Sequence, residues 1–258
     1  MTADRVAGRT ALVTGAGNGL GRAIAHALSA TGVRVILAGR TAAKLEQVAG
    51  ELRDAPAGVR TAVCDTAQPG AVDALRRGLS DEDVSILVNN AGIAGPVREL
   101  VDVEPDEWDE VFAVNVRGVY LMCRAFLPAM IAHRAGDVIN VASVSGKRPL
   151  ARRTPYTASK MAVLGLTLTL AHEVGEHGVL VNCLSPGPVA GPRMERNFRL
   201  EAERTGMTYA EAEQAFVSRA ALQRMVTEEE VGAAALAILR MPGMTGADID
   251  LSGGMIGR

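Results

Sequence analysis

The stretch "ALVTGAGNGLG" (11–21) decides the fold, because it joins a short apolar run to closely spaced glycines. The run "ALVTGA" (11–16) is typical of a buried strand, and the segment that starts at Gly19 has a helical pattern. A glycine-rich turn between a strand and a helix offers free N–H groups and a positive dipole end to a phosphate. We therefore predict a dinucleotide-binding turn in which five residues contact the cofactor: Gly15, Asn18, Gly19, Leu20 and Gly21.

The same alternation of apolar runs and helical patterns continues along the chain. Most of the runs are almost continuously apolar, as strands are when helices cover both faces of a parallel sheet. Strand–helix alternation of this kind predicts right-handed crossovers. The fold class is therefore α/β, a single-domain doubly wound Rossmann fold with a seven-stranded parallel sheet and helices on both faces. The six further strands are predicted at 33–39, 59–65, 84–91, 137–143, 179–185 and 247–253.

Residues from about 190 to 226 interrupt this rhythm. They are polar and charged, with a helical pattern and no strand. Ligands of doubly wound folds bind at the carboxyl edge of the sheet. We expect this segment to be a substrate lid over that edge, inserted into one dinucleotide-binding catalytic domain that spans 1–258.

Composition limits the class of protein and its partners. The 258 residues are 48% hydrophobic and 22% charged, which is ordinary globular usage. A net charge of -2 predicts no nucleic-acid partner. No apolar run reaches about 18 residues and the N-terminus lacks an apolar signal segment, so we expect no membrane span and a cytoplasmic location. The histidines lack metal-ligand spacing, so no metal is expected, and three cysteines should be buried and reduced: Cys64, Cys123 and Cys183.

The end of the second predicted strand bears on the choice of cofactor. NAD-binding proteins usually place an acid there to hold the ribose 2′-hydroxyl, whereas this sequence has Arg40 and no acid before Glu46. A guanidinium can pair with a 2′-phosphate, so NADP(H) is favoured. NAD(H) stays possible, with Arg40 solvated or stacked on adenine. Asp65, at the end of the third strand, could cap the next helix or accept a hydrogen bond from the adenine amino group.

A tyrosine and a lysine four residues apart indicate chemistry at the same edge. Tyr156 and Lys160 share one face of a predicted helix. Ser143 ends the fifth predicted strand, so all three side chains should meet at the carboxyl edge of the sheet. A hydroxyl, a phenol and an ammonium beside a nicotinamide form a carbonyl-reduction site, in which the phenol exchanges a proton with the carbonyl oxygen.

The cation matters because the pKa of an unperturbed tyrosine, about 10, is too high for a base at neutral pH. Lowering that pKa by ~3 units requires about 4 kcal/mol. A unit charge at about 4 Å supplies roughly this energy at an effective dielectric constant of ~20. Burial of the phenol acts in the opposite direction, so the positive ring of the oxidised cofactor should contribute too.

Taken in order, these motifs resemble the short-chain dehydrogenase/reductase family over nearly the whole chain. The likeness rests on the glycine turn, on Ser143 and on four further motifs: "NNAG" (89–92), Asn115 in "AVNVRGVYL", "YTASK" (156–160) and "NCLSPG" (182–187). The resemblance implies an oxidoreductase that moves hydride between NADP(H) or NAD(H) and a secondary alcohol or ketone, and a homotetramer or homodimer built on the helices at 105–133 and 154–176.

The resemblance also implies a role for each matching residue. Tyr156 is the acid/base, Lys160 lowers its pKa and binds the nicotinamide ribose, and Ser143 positions the substrate oxygen. Asn115 holds a water that passes protons to solvent. The remaining matches lie against the cofactor: Asn90 and Gly92 on its adenosine side, and Pro186, Gly187 and Val189 at the nicotinamide amide.

Some positions depart from the family pattern. Gly191 stands where relatives often have threonine, and Asn18 stands where many NADP-binding relatives have a basic residue. The loop "GPVAGPRM" (187–194) lacks the pattern of ketoacyl reductases, which favours small polyols or cyclic alcohols as substrates. A 3-ketoacyl-carrier reductase and a catalytically inactive nucleotide-binding sensor are the alternatives. Three arginines either contact an acidic substrate or lie at the rim of the site: Arg148, Arg152 and Arg153.

Overall fold

A computed structural model of the chain describes residues 5–256, which form seven strands and nine α-helices. The strands are β1 (Thr10–Thr14), β2 (Arg34–Gly39), β3 (Val59–Val63), β4 (Val84–Asn89), β5 (Gly136–Val141), β6 (Val179–Pro186) and β7 (Asp248–Leu251). The helices are α1 (Gly19–Ser29), α2 (Ala42–Glu51), α3 (Pro69–Gly78), α4 (Pro105–Phe112), α5 (Gly118–His133), α6 (Thr154–Val174), α7 (Pro192–Thr205), α8 (Tyr209–Val217) and α9 (Glu228–Leu239).

All seven strands are parallel and lie in the order β3-β2-β1-β4-β5-β6-β7, which confirms the predicted fold class. The strand order reverses between β1 and β4. In such sheets the crevice at the reversal point, beyond the carboxyl ends of the strands, is the ligand site. The glycine turn after β1 and the loop after β4 both lie at this crevice.

Two hydrophobic cores cover the two faces of the sheet. One core includes residues of α3, α5 and α6, and the other includes residues of α1, α2 and α9. Neighbouring residues of β1 point to opposite cores, as Leu12 and Val13 do, and neither side chain is exposed to solvent. Because both faces are buried, the strands carry the nearly continuous apolar runs seen in the sequence.

The helical segment Pro105–His133 is the longest apolar element within residues 5–256. It consists of α4, a π-helical turn at Ala113–Arg117, and α5. Its mean hydropathy of 1.2 and its 29 residues would suffice to cross a membrane, which the sequence analysis did not anticipate. In the fold α5 packs on β4, β5 and α3, and buried core helices have the same composition.

The segment between β6 and α9 consists of α7 and α8, with no strand in the part that is described. Its two ends meet, because Val189 forms a parallel bridge to Val226. The assignment of this segment as a substrate lid remains a prediction. All three cysteines are free and buried, as expected from the sequence.

Candidate active site

The glycine turn after β1 adopts a conformation that side chains would prevent. Gly15 and Gly19 have positive φ angles of 65° and 52°. A Cβ atom on Gly21 would collide with the carbonyl oxygen of Gly15 and would stand 2.5 Å from the Nδ2 atom of Asn90. The three glycines therefore shape the turn and bring the start of α1 close to β1.

Two side chains hold this turn in place. The Nδ2 atom of Asn90 donates to the carbonyl oxygens of Thr14 (2.9 Å) and Gly15 (3.3 Å). The Thr14 hydroxyl oxygen accepts hydrogen bonds from the backbone N–H groups of Asn90 and Ala91. Asn90 was predicted to lie on the adenosine side of the cofactor, and its side chain supports the turn itself. Thr14, which the sequence analysis did not single out, joins the turn to the loop after β4.

The N-terminus of α1 can hold a phosphate group. Asn18 occupies the N-cap position but its side chain makes no capping hydrogen bond, and the first turn of α1 has no acidic residue. The first N–H groups of a helix have no partner within the helix, and they attract anions. The residues of this turn, including the half-exposed Leu20, thus fit a dinucleotide diphosphate.

Two cations follow β2, Arg40 directly after the strand and Lys44 in the first turn of α2, where the sequence predicts the adenosine ribose. Arg40 is exposed, and no ion pair to it occurs among residues 5–256. Lys44, an exposed residue that the sequence analysis missed, packs its Cβ atom 2.9 Å from the position that a Cβ on Gly17 would take. The first acid after β2, Glu46, accepts a hydrogen bond of 2.7 Å from Thr61. The segment that follows β2 therefore presents two exposed cations, Arg40 and Lys44.

Asp65 follows β3 and folds back on its own turn. Its Oδ1 atom accepts a hydrogen bond of 3.0 Å from the backbone N–H of Ala67. This bond stabilises a turn before α3 and does not cap that helix, whose N-cap is Gln68, so the predicted capping role is wrong. The predicted hydrogen bond from the adenine amino group to Asp65 stays a prediction.

Tyr156 and Lys160 lie side by side on the first turns of α6. The Nζ atom of Lys160 is 5.8 Å from the centre of the Tyr156 ring, and the lysine is only 5% exposed. Lys160 also donates a hydrogen bond of 2.9 Å to the carbonyl oxygen of Val141, at the end of β5. The ring of Tyr156 is partly accessible. A buried ammonium beside an accessible phenol is the arrangement that favours loss of the phenolic proton.

Asn115 connects the loop after β4 to α6. Its side chain exchanges two hydrogen bonds with the backbone of Ile93, of 2.8 and 2.9 Å, and donates a third to the Ser159 hydroxyl. Asn115 lies in the π-helical turn and is completely buried. Ser159, which the sequence analysis overlooked, also donates to the carbonyl oxygen of Tyr156. The side chain of Asn115 therefore fixes the framework around Tyr156 and Lys160.

Gly92 lies directly over this cluster. A Cβ atom there would stand 3.2 Å from the Asn115 Oδ1 atom and 3.4 Å from the Lys160 Nζ atom. The prediction placed Gly92 on the adenosine side of the cofactor. The structure places it next to Lys160, so the loop after β4 lies between the glycine turn and the Tyr156–Lys160 pair.

Ser143 begins the loop that leads from β5 to α6. Its hydroxyl oxygen accepts a hydrogen bond of 3.1 Å from the backbone N–H of Ser145, and the residue is 8% exposed. Further along this loop, Lys147 forms ion pairs with Asp248 and Asp250 of β7. These ion pairs attach the serine loop to the edge strand, an attachment that no local sequence pattern indicates.

Arg153 also borders the ring of Tyr156. The arginine is 9% exposed, and its guanidinium carbon lies 5.6 Å from the centre of the Tyr156 ring. This distance is within the range of a cation–π contact. The sequence left open whether Arg153 contacts substrate or lies at the rim. The structure places it inside the cluster, whereas Arg152 pairs with Glu99 nearer the surface.

The loop after β6 is held by backbone hydrogen bonds. Gly187 donates to the carbonyl oxygen of Leu251, and a Cβ on Gly187 would stand 2.8 Å from the Cβ of Ser252. Pro188 and Ala190 flank Val189 and exchange two hydrogen bonds with the backbone of Val226. Pro186 ends β6. The loop therefore reaches the carboxyl edge with Val189 at a fixed position.

Comparison with known proteins assigns the chain to a family. The model of the short chain dehydrogenase family matches residues 9–203. A galactitol 2-dehydrogenase (L-tagatose-forming) of Cereibacter sphaeroides is 42% identical over 197 residues, which cover 73% of this chain and 74% of that protein.

Solved structures of similar length have the same fold. An NAD+-bound xylitol dehydrogenase superposes with a TM-score of 0.90 and 27% identity, covering 96% of this chain and 99% of the other. L-Sorbose reductase from Gluconobacter frateurii, complexed with NADPH and L-sorbose, superposes with a TM-score of 0.92 and 26% identity, covering 99% of both chains. Together with the glycine turn and the Tyr156–Lys160 cluster, these matches show that the chain is an oxidoreductase of the short-chain dehydrogenase/reductase family, whose members act on CH–OH groups.

Proposed function

We propose that this oxidoreductase transfers hydride between a nicotinamide dinucleotide, with NADP(H) favoured over NAD(H), and a small secondary alcohol or ketone. The observation that carries the proposal is the buried ammonium of Lys160 beside the ring of Tyr156. Ser143 lies just beyond the end of β5, at the carboxyl edge of the sheet, and we place the substrate oxygen between its hydroxyl group and that of Tyr156.

In the proposed mechanism the nicotinamide supplies the hydride for reduction, or accepts it in the reverse direction. Ser143 donates a hydrogen bond to the substrate carbonyl oxygen and holds it near Tyr156. The phenol of Tyr156 gives its proton to that oxygen as the alcohol forms. The charge of Lys160 stabilises the phenolate that remains. Asn115 holds the loop after β4 against the start of α6 during the reaction.

The preference for NADP(H) rests on the charges at the end of β2. Arg40 and Lys44 are exposed beside the glycine turn, and a 2′-phosphate can pair with either cation. The nearest acid along the chain, Glu46, is bonded to Thr61. Structural neighbours contain either cofactor, NAD+ in the xylitol dehydrogenase and NADPH in the sorbose reductase. The preference for NADP(H) therefore rests on the positive charges of Arg40 and Lys44.

Small polyols and their ketoses are the proposed substrate class. The relatives and neighbours described above act on galactitol, xylitol and L-sorbose according to their names. The loop 187–194 of this chain lacks the pattern of ketoacyl reductases, the main alternative. Serine, tyrosine and arginine side chains around the site can donate hydrogen bonds to a polyhydroxylated substrate.

A panel of alcohols and ketones tests the proposal. Polyols, cyclic alcohols, hydroxy acids and ketoacyl thioesters are each offered with NAD+ and NADP+, or with the reduced forms for ketones. Absorbance of the reduced nicotinamide reports turnover. We expect turnover of at least one polyol–ketose pair with NADP(H). A response to ketoacyl thioesters alone would favour the alternative reductase, and cofactor binding without any turnover would favour the inactive sensor.

A homotetramer or homodimer is proposed through the outer faces of α5 and α6. Three large apolar side chains on these faces are about half exposed: Tyr120, Met161 and Leu168. A cavity of about 400 Å³ lies beside Met161 and Leu168, between α6 and β7. Light scattering after gel filtration tests the assembly. Leu168→Glu should dissociate it, whereas Leu222→Glu, which changes an equally exposed leucine elsewhere, should not.

A further inference from the structure

An acidic side chain lies beside the glycine turn that is proposed to hold a diphosphate. The Oε1 atom of Glu228 is 3.7 Å from the position that a Cβ on Gly19 would take. The same atom is 3.5 Å from the corresponding position on Gly191. Glu228 therefore lies near both the phosphate turn and Gly191, the residue directly before α7.

Three helices begin around this carboxyl group. Gly19 is the first residue of α1, Gly191 is the N-cap of α7, and Glu228 is the first residue of α9. Helix N-termini attract negative charge, so the place suits an anion. The carboxylate of Glu228 and the diphosphate of a dinucleotide would thus occupy neighbouring positions with the same sign of charge. Their repulsion is strong when the site excludes water.

The charged groups around Glu228 are mainly bonded to other residues, so a bound anion would act strongly on the Glu228 carboxyl group. Arg22 on α1 attracts it, but Arg22 is itself bonded to Glu51 at 2.7 Å. Glu229 repels it from the same helical turn. Glu230 is held by Arg224 and by the capping box with Thr227. His26, the histidine on α1, is bonded to Glu51.

Burial is the main influence on this group, and it raises the pKa of the Glu228 carboxyl above its ordinary value. A carboxyl group whose pKa is raised keeps its proton up to a higher pH than an ordinary carboxyl group does. A diphosphate bound beside it would raise the pKa further, because it disfavours the charged form.

We propose that Glu228 couples binding of the dinucleotide to uptake of one proton from solvent. On binding, the carboxylate of Glu228 accepts a proton that the buffer supplies. This inference rests on the proposed function, since it requires that the chain bind a nicotinamide dinucleotide.

The sign of the effect follows from linkage. The protonated form of Glu228 binds the anionic cofactor more tightly than the ionised form does. Affinity is therefore highest below the pKa of Glu228 in the free protein, and it falls as the pH rises through that pKa. It stops falling above the pKa of the complex. If the two pKa values differ by about one unit, Kd rises about tenfold across the interval.

Titration calorimetry with NADH measures this coupling directly. NADH is chosen because its diphosphate does not titrate near neutrality, whereas the 2′-phosphate of NADPH should, as a phosphate monoester with a second pKa of about 6. Each titration is run in two buffers that differ in ionisation enthalpy, so that the difference in heat gives the number of protons taken up. Glu228→Gln removes the titrating group but leaves the capping residues Thr227 and Glu230 in place.

The wild-type protein should take up a fraction of a proton, and its Kd should rise with pH. Glu228→Gln should take up none, and it should bind NADH about as tightly at pH 8 as the wild type does at low pH. The matched control is Glu229→Gln, which removes the same charge from the exposed neighbour but keeps Glu228, so it should still take up protons and its Kd should still rise with pH.

Three results would each have a distinct meaning. Equal proton uptake by the wild type and by Glu228→Gln would overturn the inference while leaving the proposed function intact. Equal loss of proton uptake in Glu229→Gln would also overturn it, because the effect would then reflect the net charge of the helix end. Absence of binding by both NADH and NADPH would refute the proposed function itself.

Discussion

The glycine turn (14–21) is proposed to work through backbone atoms, whereas the proposed catalytic cluster (Asn115, Ser143, Tyr156 and Lys160) would work through side chains. In the turn the essential property is the absence of Cβ atoms, since a Cβ on Gly21 would strike Gly15 and Asn90. In the cluster the essential property is an ammonium that is 5% exposed beside a phenol ring. The two regions meet at the loop after β4, where Asn90 supports the turn and Gly92 covers Lys160.

The difference teaches that the two regions tolerate different kinds of change. A turn made of backbone should be sensitive to added volume and insensitive to charge. A cluster made of charged and polar side chains should be sensitive to the loss of a single atom or charge, even when volume is conserved. Binding and turnover should therefore respond separately to mutations in the two regions.

The largest effect is expected from removing the charge in the cluster. Lys160→Met keeps most of the side-chain volume but deletes the ammonium, which should lower turnover about a thousandfold, in line with about 4 kcal/mol of electrostatic stabilisation. The Val141 carbonyl also loses its donor, so thermal stability should fall measurably. Steady-state rates with saturating cofactor provide the check. Turnover within tenfold of the wild type would show that the ammonium is not part of the chemistry.

The next effect should come from adding volume to the turn. Gly21→Ala inserts a methyl group against Gly15 and Asn90, so we expect the Kd for the cofactor to rise about a hundredfold. The free energy of unfolding should fall by about 1–3 kcal/mol. Gly50→Ala is the matched control, because no atom lies within 4 Å of its Cβ position near the end of α2. The control should bind cofactor normally and be slightly more stable. Equal Kd values for the two variants would refute the role of the turn.

A smaller effect is expected where the regions meet. Asn115→Ala removes both hydrogen bonds to Ile93 and should reduce turnover tenfold to a hundredfold while costing about 1–3 kcal/mol of stability. Ser159→Ala removes only the hydroxyl that Asn115 and Tyr156 share, so its effect should be milder on both measures. Rates and denaturant unfolding curves compare the two variants. A larger loss from Ser159→Ala would mean that the loop after β4 is not held by Asn115.

The smallest effect concerns charge at the edge of the turn. Arg40→Gln and Lys44→Gln should each raise the Kd for NADPH by up to about tenfold, since each removes one cation from the proposed 2′-phosphate site. The Kd for NADH should not change. Arg53→Gln, which removes an exposed cation beyond the end of α2, serves as the control for net charge. NADH bound tenfold more tightly than NADPH by the wild type would contradict the assignment of Arg40.

Much of this architecture could be predicted because local sequence encodes it. Buried strands are apolar, the glycine turn has a compact motif, and Tyr156 and Lys160 share a helix face four residues apart. The contacts that could not be predicted join residues that are far apart in the sequence. Glu228 reaches Gly19, Lys147 reaches β7, and Lys44 packs on Gly17 only after the sheet has formed.

Arg153 illustrates the same limit within a single segment. The sequence shows that Arg153 lies three residues before Tyr156. It does not show which of the three arginines in this segment contacts the substrate and which lie at the surface. Only the fold distinguishes Arg153, buried against the tyrosine ring, from Arg152, which pairs with Glu99. Burial of one long side chain among similar neighbours depends on loop conformation, which no periodic pattern specifies.

The proton-donating role of Tyr156 is the central claim, and Tyr156→Phe tests it most directly because the variant lacks a single oxygen atom. Turnover of the best substrate and the Kd for the cofactor are measured on the same preparation. The account predicts turnover that is about a hundredfold or more below the wild type, with the cofactor Kd changed by no more than about twofold. A variant that binds cofactor normally and retains more than a few per cent of turnover would contradict it.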